Sequence, residues 1–132
     1  MAYLQEVSII GRLTRDPELR YTPRGTAVMD ISVAVNRTYQ QDGEWKNDPA
    51  VFWTIRVWGK AAENMAEREM HRGDLVFARG DMRAPRLYEK RDGSTGCELS
   101  LDFAHVITLK RAQETVGDFQ AAPEETSESP LL

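Results

Sequence analysis

The sequence predicts an all-β domain with one short helix, a five-stranded Greek-key barrel, followed by a disordered acidic tail. Three observations support this fold class. Several segments alternate apolar and polar residues, a single run of helix formers interrupts them, and the composition changes sharply beyond Arg111. The 132 residues fit one domain with a modest appendage. We therefore divide the chain into a barrel domain, residues 1–111, and a tail, residues 112–132.

The first two strands are predicted on either side of a connection rich in turn residues. Residues 7–13 form the first strand, in which Gly11 marks a bulge or bend where a small barrel curls. Pro and Gly punctuate residues 16–25. Residues 27–36 then alternate with a period of two, so the second strand buries one of its faces.

A polar loop at residues 40–49 joins the second strand to a third strand at 51–58 as an extended hairpin. Residues 60–70 are rich in Ala, Glu and Met, which favour a helix, and Arg72-Gly73 ends it. The third strand is therefore followed by the one predicted helix.

The last two strands begin at Leu75 and at Glu98. Gly80 permits a bend in the fourth strand, and Asp92-Gly93 marks a hairpin turn before the fifth strand at 98–109. Three strands, a helix and two strands is the order that a five-stranded Greek-key OB-fold barrel requires.

The net charge of −4 comes from the tail. Residues 112–132 contain five of the 21 acidic side chains and no Lys or Arg, so the rest of the chain has 17 basic and 16 acidic side chains. A segment of Gln, Ala, Glu, Ser, Thr and Pro buries too little apolar surface to order itself. The near-neutral body can bind a polyanion only where its cations gather on one face.

The third strand carries the most informative residues. Its alternation puts Trp53, Ile55 and Val57 on the face that suits a barrel interior, and Phe52, Thr54, Arg56 and Trp58 on the other. Two aromatic rings beside an arginine on an outer face can stack nucleobases and meet phosphate. The alternative is that Phe52 and Trp58 pack against the helix or a partner subunit.

Aromatic and basic residues also interleave in two long loops. OB-folds bind oligonucleotides at the loops between strands one and two and between strands four and five, with the second and third strands as the floor. The loop before the third strand supplies Arg37, Tyr39, Trp45 and Lys46, and the segment after the fourth supplies Arg83, Arg86, Tyr88, Lys90 and Arg91. Individually, Trp45 can close a hairpin cluster and each cation can serve solubility. Their joint occurrence favours a nucleic-acid track.

The residues do not favour an enzyme, a metal site or a bound cofactor. No nucleophile elbow, phosphate loop or zinc pattern occurs, and His71 and His105 suit structural roles. Asp16 and Glu18 beside Pro17 suit a turn better than a metal pair. Cys97 has no partner for a disulfide, and the N-terminus lacks the features of a secretory signal, so we expect a cytoplasmic protein outside any membrane.

Over residues 4–110 the sequence resembles bacterial single-stranded DNA-binding proteins in the order and spacing of several motifs. These motifs are Gly11-Arg12-Leu13, Asp16-Pro17-Glu18-Leu19-Arg20-Tyr21-Thr22-Pro23-Arg24-Gly25, Val28 to Val35, Phe52 to Trp58, Gly59-Lys60-Ala61-Ala62-Glu63, and Arg72-Gly73 to Gly80. The resemblance implies an OB-fold, a homotetramer and a place at the nucleoid.

The resemblance also implies roles for single residues. The family's stacking aromatics correspond to Tyr39, Phe52 and Trp58, and its phosphate-binding cations to Lys60, Arg72, Arg83 and Arg86. Two positions depart from the family. Leu87 stands where the family has a stacking tryptophan, so that stack either moves to Tyr88 or is lost. Thr54 stands where the family has a strand cation, for which Arg56 can substitute.

The tail departs further from the family, whose acidic tail ends in Ile-Pro-Phe and docks replication and repair enzymes. Here the corresponding residues are Glu128, Pro130, Leu131 and Leu132, without the dense aspartate run or the phenylalanine. Partner recruitment is therefore expected through a changed sequence.

Together these features predict sequence-independent binding and protection of single-stranded DNA in replication, recombination and repair. The alternatives are an OB-fold RNA-binding or primosome-accessory module and an interaction scaffold that acts through its tail. The candidate DNA-binding residues are Arg37, Tyr39, Trp45, Lys46, Phe52, Arg56, Trp58, Lys60, Arg72, Arg83, Arg86 and Tyr88.

Overall fold

The computed structural model describes residues 5–112. The elements, in chain order, are β1 Glu6–Leu13, β2 Glu18–Tyr21, β3 Ala27–Val35, β4 Thr38–Gln41, β5 Glu44–Asn47, β6 Val51–Trp58, α1 Gly59–Ala66, β7 Leu75–Met82, β8 Arg86–Glu89 and β9 Thr95–Lys110. The predicted strands one to five correspond to β1, β3, β6, β7 and β9.

Five strands close into a barrel in the order β1-β7-β9-β6-β3, because β1 pairs with both β7 and β3. All these pairs are antiparallel except β6 and β9, which run parallel with Thr54 opposite Ser100. β2 adds to β3, β8 adds to β9, and β4 and β5 form a separate two-stranded hairpin. This topology confirms the predicted five-stranded Greek-key OB barrel with one helix.

The barrel interior is filled by side chains from alternate positions of every barrel strand, and α1 covers one end with Ala62 and Met65. Each fully buried aliphatic side chain contributes about 1.5–3 kcal/mol relative to leaving it exposed. Among the largest fully buried side chains are Ile31, Val33, Ile55, Val57 and Leu101, on strands that carry the site.

Gly11 lies where β1 passes from β7 to β3 and closes the barrel. A Cβ atom at this position would lie 2.7 Å from Cγ1 of Val33, so only glycine permits so close an approach. The register of β1 with β7 runs without a shift through Gly11, so the predicted bulge is absent there and the glycine serves the close packing of two strands.

The helix is shorter than its composition predicts. Residues 60–70 favour a helix, but α1 ends at Ala66, where the amides of Glu67 and Arg68 bond three residues back to Asn64 and Met65. The chain then turns so that Met70, only 7% exposed, reaches the core. Burial of Met70 therefore overrides the helix propensity of the segment.

The predicted tail, residues 112–132, lies outside the described residues apart from Ala112. Within residues 5–112, no helix is long and apolar enough to span a membrane. No group of three or more His, Cys, Asp or Glu side chains in that same part of the chain could hold a metal ion.

Candidate nucleic-acid interface

The two faces of β6 separate as the alternation predicts. Ile55 and Val57 are buried in the barrel, and Trp53 packs partly against the core. On the opposite face Phe52 is 61% exposed, whereas Arg56 and Trp58 are half-buried. The interior assignment is confirmed, and the outer side of β6 presents two aromatic rings on either side of an arginine.

Strand register shows which other side chains share this side. Asp30 of β3 lies opposite Arg56, and Ser100 of β9 lies opposite Thr54. Side chains of paired residues point to the same side of a sheet. The pairing of Tyr88 with Gly96 on β9 extends that side onto β8. We call this surface the outer sheet face; its residues are Asp30, Phe52, Thr54, Arg56, Trp58, Arg86, Tyr88, Ser100 and Asp102.

Asp30 joins two arginines on the outer sheet face. Its Oδ1 accepts a hydrogen bond from Nε of Arg56 at 3.2 Å, and its Oδ2 accepts one from Nε of Arg20 at 2.9 Å. The side chains of Asp30 and Arg56 are 24% and 37% exposed, so water partly screens the pair. The cluster has a net charge of +1, and Arg56 keeps guanidinium donors beyond the one that Asp30 occupies.

Trp58 is held in place by two neighbours from β9. Its indole N–H donates to Oδ1 of Asp102, which also accepts from the amide of Phe103 at 3.1 Å. The ring of Phe103 lies against Trp58, with 6.3 Å between ring centroids and 34° between planes. The neighbours of Trp58 are therefore residues of β9, and not the helix that the alternative interpretation named.

The hairpin of β8 and β9 puts Leu87 and Tyr88 on opposite sides. Leu87 pairs with Cys97, on the side that continues to Leu99 and Leu101, whereas Tyr88 pairs with Gly96 on the side of the outer sheet face. The Tyr88 ring covers Gly96 so closely that a Cβ there would lie 2.8 Å from Cε2. The sequence left open whether the family's stacking position moves from Leu87 to Tyr88 or is lost. In the structure Tyr88 shares a face with Phe52, and Leu87 does not.

Arg86 lies beside Tyr88 on the same hairpin. Its guanidinium carbon is 5.6 Å from the centre of the Tyr88 ring, and its Nε donates to Glu98 at 2.8 Å. A cation over an aromatic face is attracted by the ring quadrupole. Arg86 therefore orients Tyr88 while part of its charge is balanced by Glu98.

The tip of this hairpin is fixed by Asp92. Its Oδ1 accepts from the hydroxyl of Ser94 at 2.6 Å and from the Ser94 amide at 2.9 Å. Hydrogen bonds to the carboxylate favour its charged form, so Ser94 holds the pKa of Asp92 below its ordinary value. Asp92-Gly93 forms the predicted turn, with Gly93 at a φ of +88°.

The β4–β5 hairpin does not bring its two aromatic residues together. Tyr39 pairs with Lys46 and Gln40 pairs with Trp45, so Tyr39 and Trp45 occupy opposite faces of the ribbon. Arg37 lies 5.3 Å from the centre of the Tyr39 ring and pairs with Asp48 at 3.1 Å. Trp45 is 49% exposed on the other face. A single bound strand on one face of this ribbon would meet only one of the two rings.

The remaining candidate cations are exposed and dispersed. Lys60 lies in the first turn of α1, Arg83 follows β7, and Arg72 follows the helix. The backbone amide of Arg72 donates to Asp16 at 2.7 Å, which fixes the loop and leaves the guanidinium outward. The tail candidates Glu128, Pro130, Leu131 and Leu132 lie outside the described residues.

Sequence reasoning missed three contacts of the interface, namely those of Asp30, Asp102 and Phe103. The acids could be found only from strand register, because Asp30 and Arg56 are 26 residues apart and Trp58 and Asp102 are 44 apart. For Phe103 the signal in the sequence was weak: apolar residues stand at odd positions at Leu99 and Leu101 and at even positions at Ala104 and Val106.

The chain is similar to known proteins in sequence and in fold. The Single-strand binding protein family matches residues 4–109. The curated single-stranded DNA-binding protein of Mycobacterium tuberculosis is 43% identical over 100 residues, which cover 73% of this chain and 60% of that protein. The matched part therefore spans about three fifths of the length of this relative.

Two solved structures share the fold. One is the small single-stranded DNA-binding protein from Streptomyces coelicolor, with a TM-score of 0.66, 19% identity, and coverage of 81% of this chain and 95% of that one. The other is a Plasmodium falciparum SSB in complex with single-stranded DNA, with a TM-score of 0.62, 19% identity, and coverage of 83% and 98%.

The shared fold agrees with the barrel topology. The sequence match supports the expectation of a binding protein rather than an enzyme. The chain belongs to the single-strand binding protein family.

Proposed function

We propose that this chain binds single-stranded DNA with little sequence preference and protects it during replication, recombination and repair. The observation that carries the proposal is the common side of Phe52, Arg56, Trp58 and Tyr88 on the outer sheet face. Rings on such a face stack bases while guanidinium groups meet phosphates. The relatives that match this chain are named for binding single-stranded DNA, which supports the same substrate.

The absence of sequence preference follows from the chemistry of stacking. Every base has a π-face, and each stacked base contributes about 1–3 kcal/mol whatever its identity. The phosphate contacts add an electrostatic part that weakens with salt, with a slope of roughly −0.7 per phosphate neutralised on a single strand. Affinity can then be high although no base edge is recognised.

The proposed roles divide by chemistry. Phe52, Trp58 and Tyr88 stack bases on the outer sheet face, and Arg56 and Arg86 meet phosphates there. Tyr39, Trp45, Arg37 and Lys46 extend the track onto the β4–β5 hairpin, with one face of the ribbon in contact at a time. Lys60, Arg72 and Arg83 guide the backbone of the strand at the edges.

We further propose a homotetramer. Ile10, Phe77 and Ile107 lie side by side across β1, β7 and β9, and Ile10 and Ile107 are 51% and 52% exposed. An apolar row on a sheet of three strands is suited to packing against a second copy. Ile107→Lys should lower the native mass; a wild-type chain that stays monomeric at micromolar concentration contradicts the tetramer.

The division of the chain at residue 111 and the role of the tail are also proposals. The five acids and no bases of residues 112–132 support an acidic segment that recruits replication and repair enzymes through Glu128, Pro130, Leu131 and Leu132. Such a role places the protein in the cytoplasm, at the nucleoid. Deletion of 113–132, which keeps the bond from the Ala112 amide to Asp74, should spare affinity for DNA and abolish capture of those enzymes.

The test of the main proposal is a titration of intrinsic tryptophan fluorescence with oligo-dT of increasing length, alongside native mass. Stacking on Trp58 predicts quenching, and mixed sequences should bind like oligo-dT. Oligo-U serves as the competitor that separates DNA from RNA binding. No quenching and no binding of oligo-dT, or a preference for oligo-U, contradicts the proposal.

Trp58→Ala tests the interface itself. It should weaken binding to oligo-dT and to mixed sequences by the same factor, because a stacking platform does not distinguish them. Unchanged affinity for oligo-dT would remove Trp58 from the interface.

A further inference from the structure

β9 carries a bulge at Phe103. Asp102 pairs with Asp81 and His105 pairs with Arg79, so two residues of β9 lie against the single Gly80 of β7. The register of the two strands shifts at this point. An extra residue in one strand of a pair bends that strand and changes the direction of a side chain.

Gly80 makes the bulge possible. A Cβ at Gly80 would lie 2.9 Å from the carbonyl oxygen of Asp102 and 3.0 Å from Cβ of Ala104. Any other residue would push β9 away from β7. β9 therefore provides the bulge, and Gly80 of β7 leaves the space that the bulge needs.

The bulge turns Phe103 away from the core. Leu101 before it and Ala104 and Val106 after it are buried, with exposures of 0%, 3% and 2%. In a regular strand Phe103 would follow Leu101 into the interior, since alternate residues share a face. In the structure the Phe103 ring is 62% exposed.

The backbone at Phe103 is strained. Its φ is +50°, a left-handed conformation that bulky side chains rarely adopt and that glycine adopts freely. Among the described residues other than glycine, only Asp42 shares a positive φ, and aspartate tolerates it in turns. A strained aromatic residue that gains no burial suggests a role outside folding.

The position of the ring indicates that role. Phe103 lies beside Trp58, at 6.3 Å between centroids, and its amide shares Oδ1 of Asp102 with the Trp58 indole. The bulge thus carries the Phe103 ring to the end of the outer sheet face and sets it next to a ring already proposed to stack a base.

We propose that Phe103 is a further base-stacking residue, which the β9 bulge aims at the single strand as it passes Trp58. This inference rests on the proposed DNA binding and extends the interface by one platform. Along β9 the track then runs from Tyr88, above Gly96, to Phe103. At ~3.3 Å per residue this is roughly 23 Å, a length that accommodates several stacked nucleotides.

Two substitutions separate stacking from folding. Phe103→Gly removes the ring at a φ that glycine prefers, so the fold should be at least as stable to heat as wild type. Phe103→Leu keeps an apolar side chain of similar size but no π-face. Both should weaken binding of oligo-dT by roughly 5- to 150-fold, the loss expected for one stacked base.

The matched control is Leu109→Ala, which removes an exposed apolar side chain, 47% exposed, farther along the same strand. Its affinity should equal that of wild type.

A cross-linking experiment with 5-iododeoxyuridine oligonucleotides should identify the peptide that contains Phe103, because photo-cross-linking of this kind requires contact between the base and the ring.

Native mass of each variant distinguishes stacking from a contact between subunits. Weaker binding at unchanged mass, with a cross-link at Phe103, supports the proposal. Wild-type affinity in Phe103→Leu, or a loss of affinity found only together with a changed mass, overturns it. If wild-type protein itself fails to bind oligo-dT, the proposed function fails instead, whatever Phe103 does.

Discussion

Nε of Arg56 lies 3.2 Å from Oδ1 of Asp30, across the pair of central strands β3 and β6. This ion pair places an acid in the middle of a surface proposed to bind a polyanion. The acid lowers the positive potential there, and it also holds two guanidinium groups in fixed positions, since Arg20 binds its other oxygen.

Asp30→Asn should tighten DNA binding at low salt. The substitution keeps the size of the side chain but raises the net charge of the cluster from +1 to +2, and frees arginine donors for phosphate. One additional phosphate contact steepens the plot of log affinity against log salt by roughly 0.7. Titration of oligo-dT at several salt concentrations measures both effects.

Glu6→Gln provides the control for this prediction. It makes the same change of charge at another ion pair, with Arg79 at 3.5 Å, on β1 and β7. Long-range attraction alone would affect both variants alike, whereas a local effect appears only in Asp30→Asn. Weaker binding of Asp30→Asn would mean that Asp30 is needed to position Arg56.

Tyr88→Leu should weaken binding, and Leu87→Ala should not. Tyr88 shares the outer sheet face with Phe52, while Leu87, although 69% exposed, points to the other side of the hairpin. Leucine at position 88 still covers Gly96, so the hairpin keeps its packing and only the aromatic stack is lost. The expected loss is about 1–3 kcal/mol of binding free energy, measured with oligo-dT.

Tyr88→Phe is the matched variant, because it keeps the ring and removes only the hydroxyl. It should bind as wild type does. Equal losses from Leu87→Ala and Tyr88→Leu would show that the hairpin acts as a whole and not through one side.

The barrel could be predicted from the sequence because its strands are buried on one side and exposed on the other. β6 has the predicted bounds, 51–58, and its interior residues are those that the alternation selects. Period-two patterns are strong wherever one face of a strand packs in a core. Local sequence therefore contains most of the information about the barrel.

The features that the sequence did not predict depend on pairing between distant segments. The helix was expected to reach residue 70, but burial of Met70 ends it at Ala66. Tyr39 and Trp45 were grouped as loop aromatics, although the register of β4 and β5 puts them on opposite faces. The bulge at Phe103 depends on how β9 meets Gly80, which no local pattern contains.

Ser94→Ala should raise the pKa of Asp92 toward its ordinary value of 3.8. Ser94 donates through its hydroxyl and its amide, and removal of the hydroxyl takes away the first cause of the lowered pKa. A lowered folded pKa means that the turn gains stability above pH 3.8 and loses it as the pH falls through the lower value. Carboxyl carbon chemical shifts of Asp92 measured against pH report the change.

Thr95→Ala is the control for the turn, since it removes a neighbouring hydroxyl while both bonds from Ser94 remain. The pKa of Asp92 should then stay as in wild type. An equal rise in both variants would mean that the loss of any hydroxyl at the tip, and not the bond from Ser94, alters the turn.

Asp74→Ala should lower the free energy of unfolding by about 2–4 kcal/mol. Asp74 is 2% exposed, and its two oxygens accept from the amides of His71 and Ala112 at 2.9 and 2.8 Å. It thereby ties Ala112, two residues beyond the end of β9, to the loop before β7. Alanine leaves both amides without their acceptor, whereas Asp74→Asn keeps one acceptor oxygen and should lose about half as much. Urea denaturation measures both changes.

Asp16→Ala is the matched control, because it removes an aspartate that is exposed. Asp16 also accepts a backbone amide, that of Arg72 at 2.7 Å, but water can replace it there. Its loss should therefore stay within about 0.5–1.5 kcal/mol. If Asp16→Ala and Asp74→Ala lower the free energy of unfolding equally, burial adds nothing to the contribution of the Asp74 bonds.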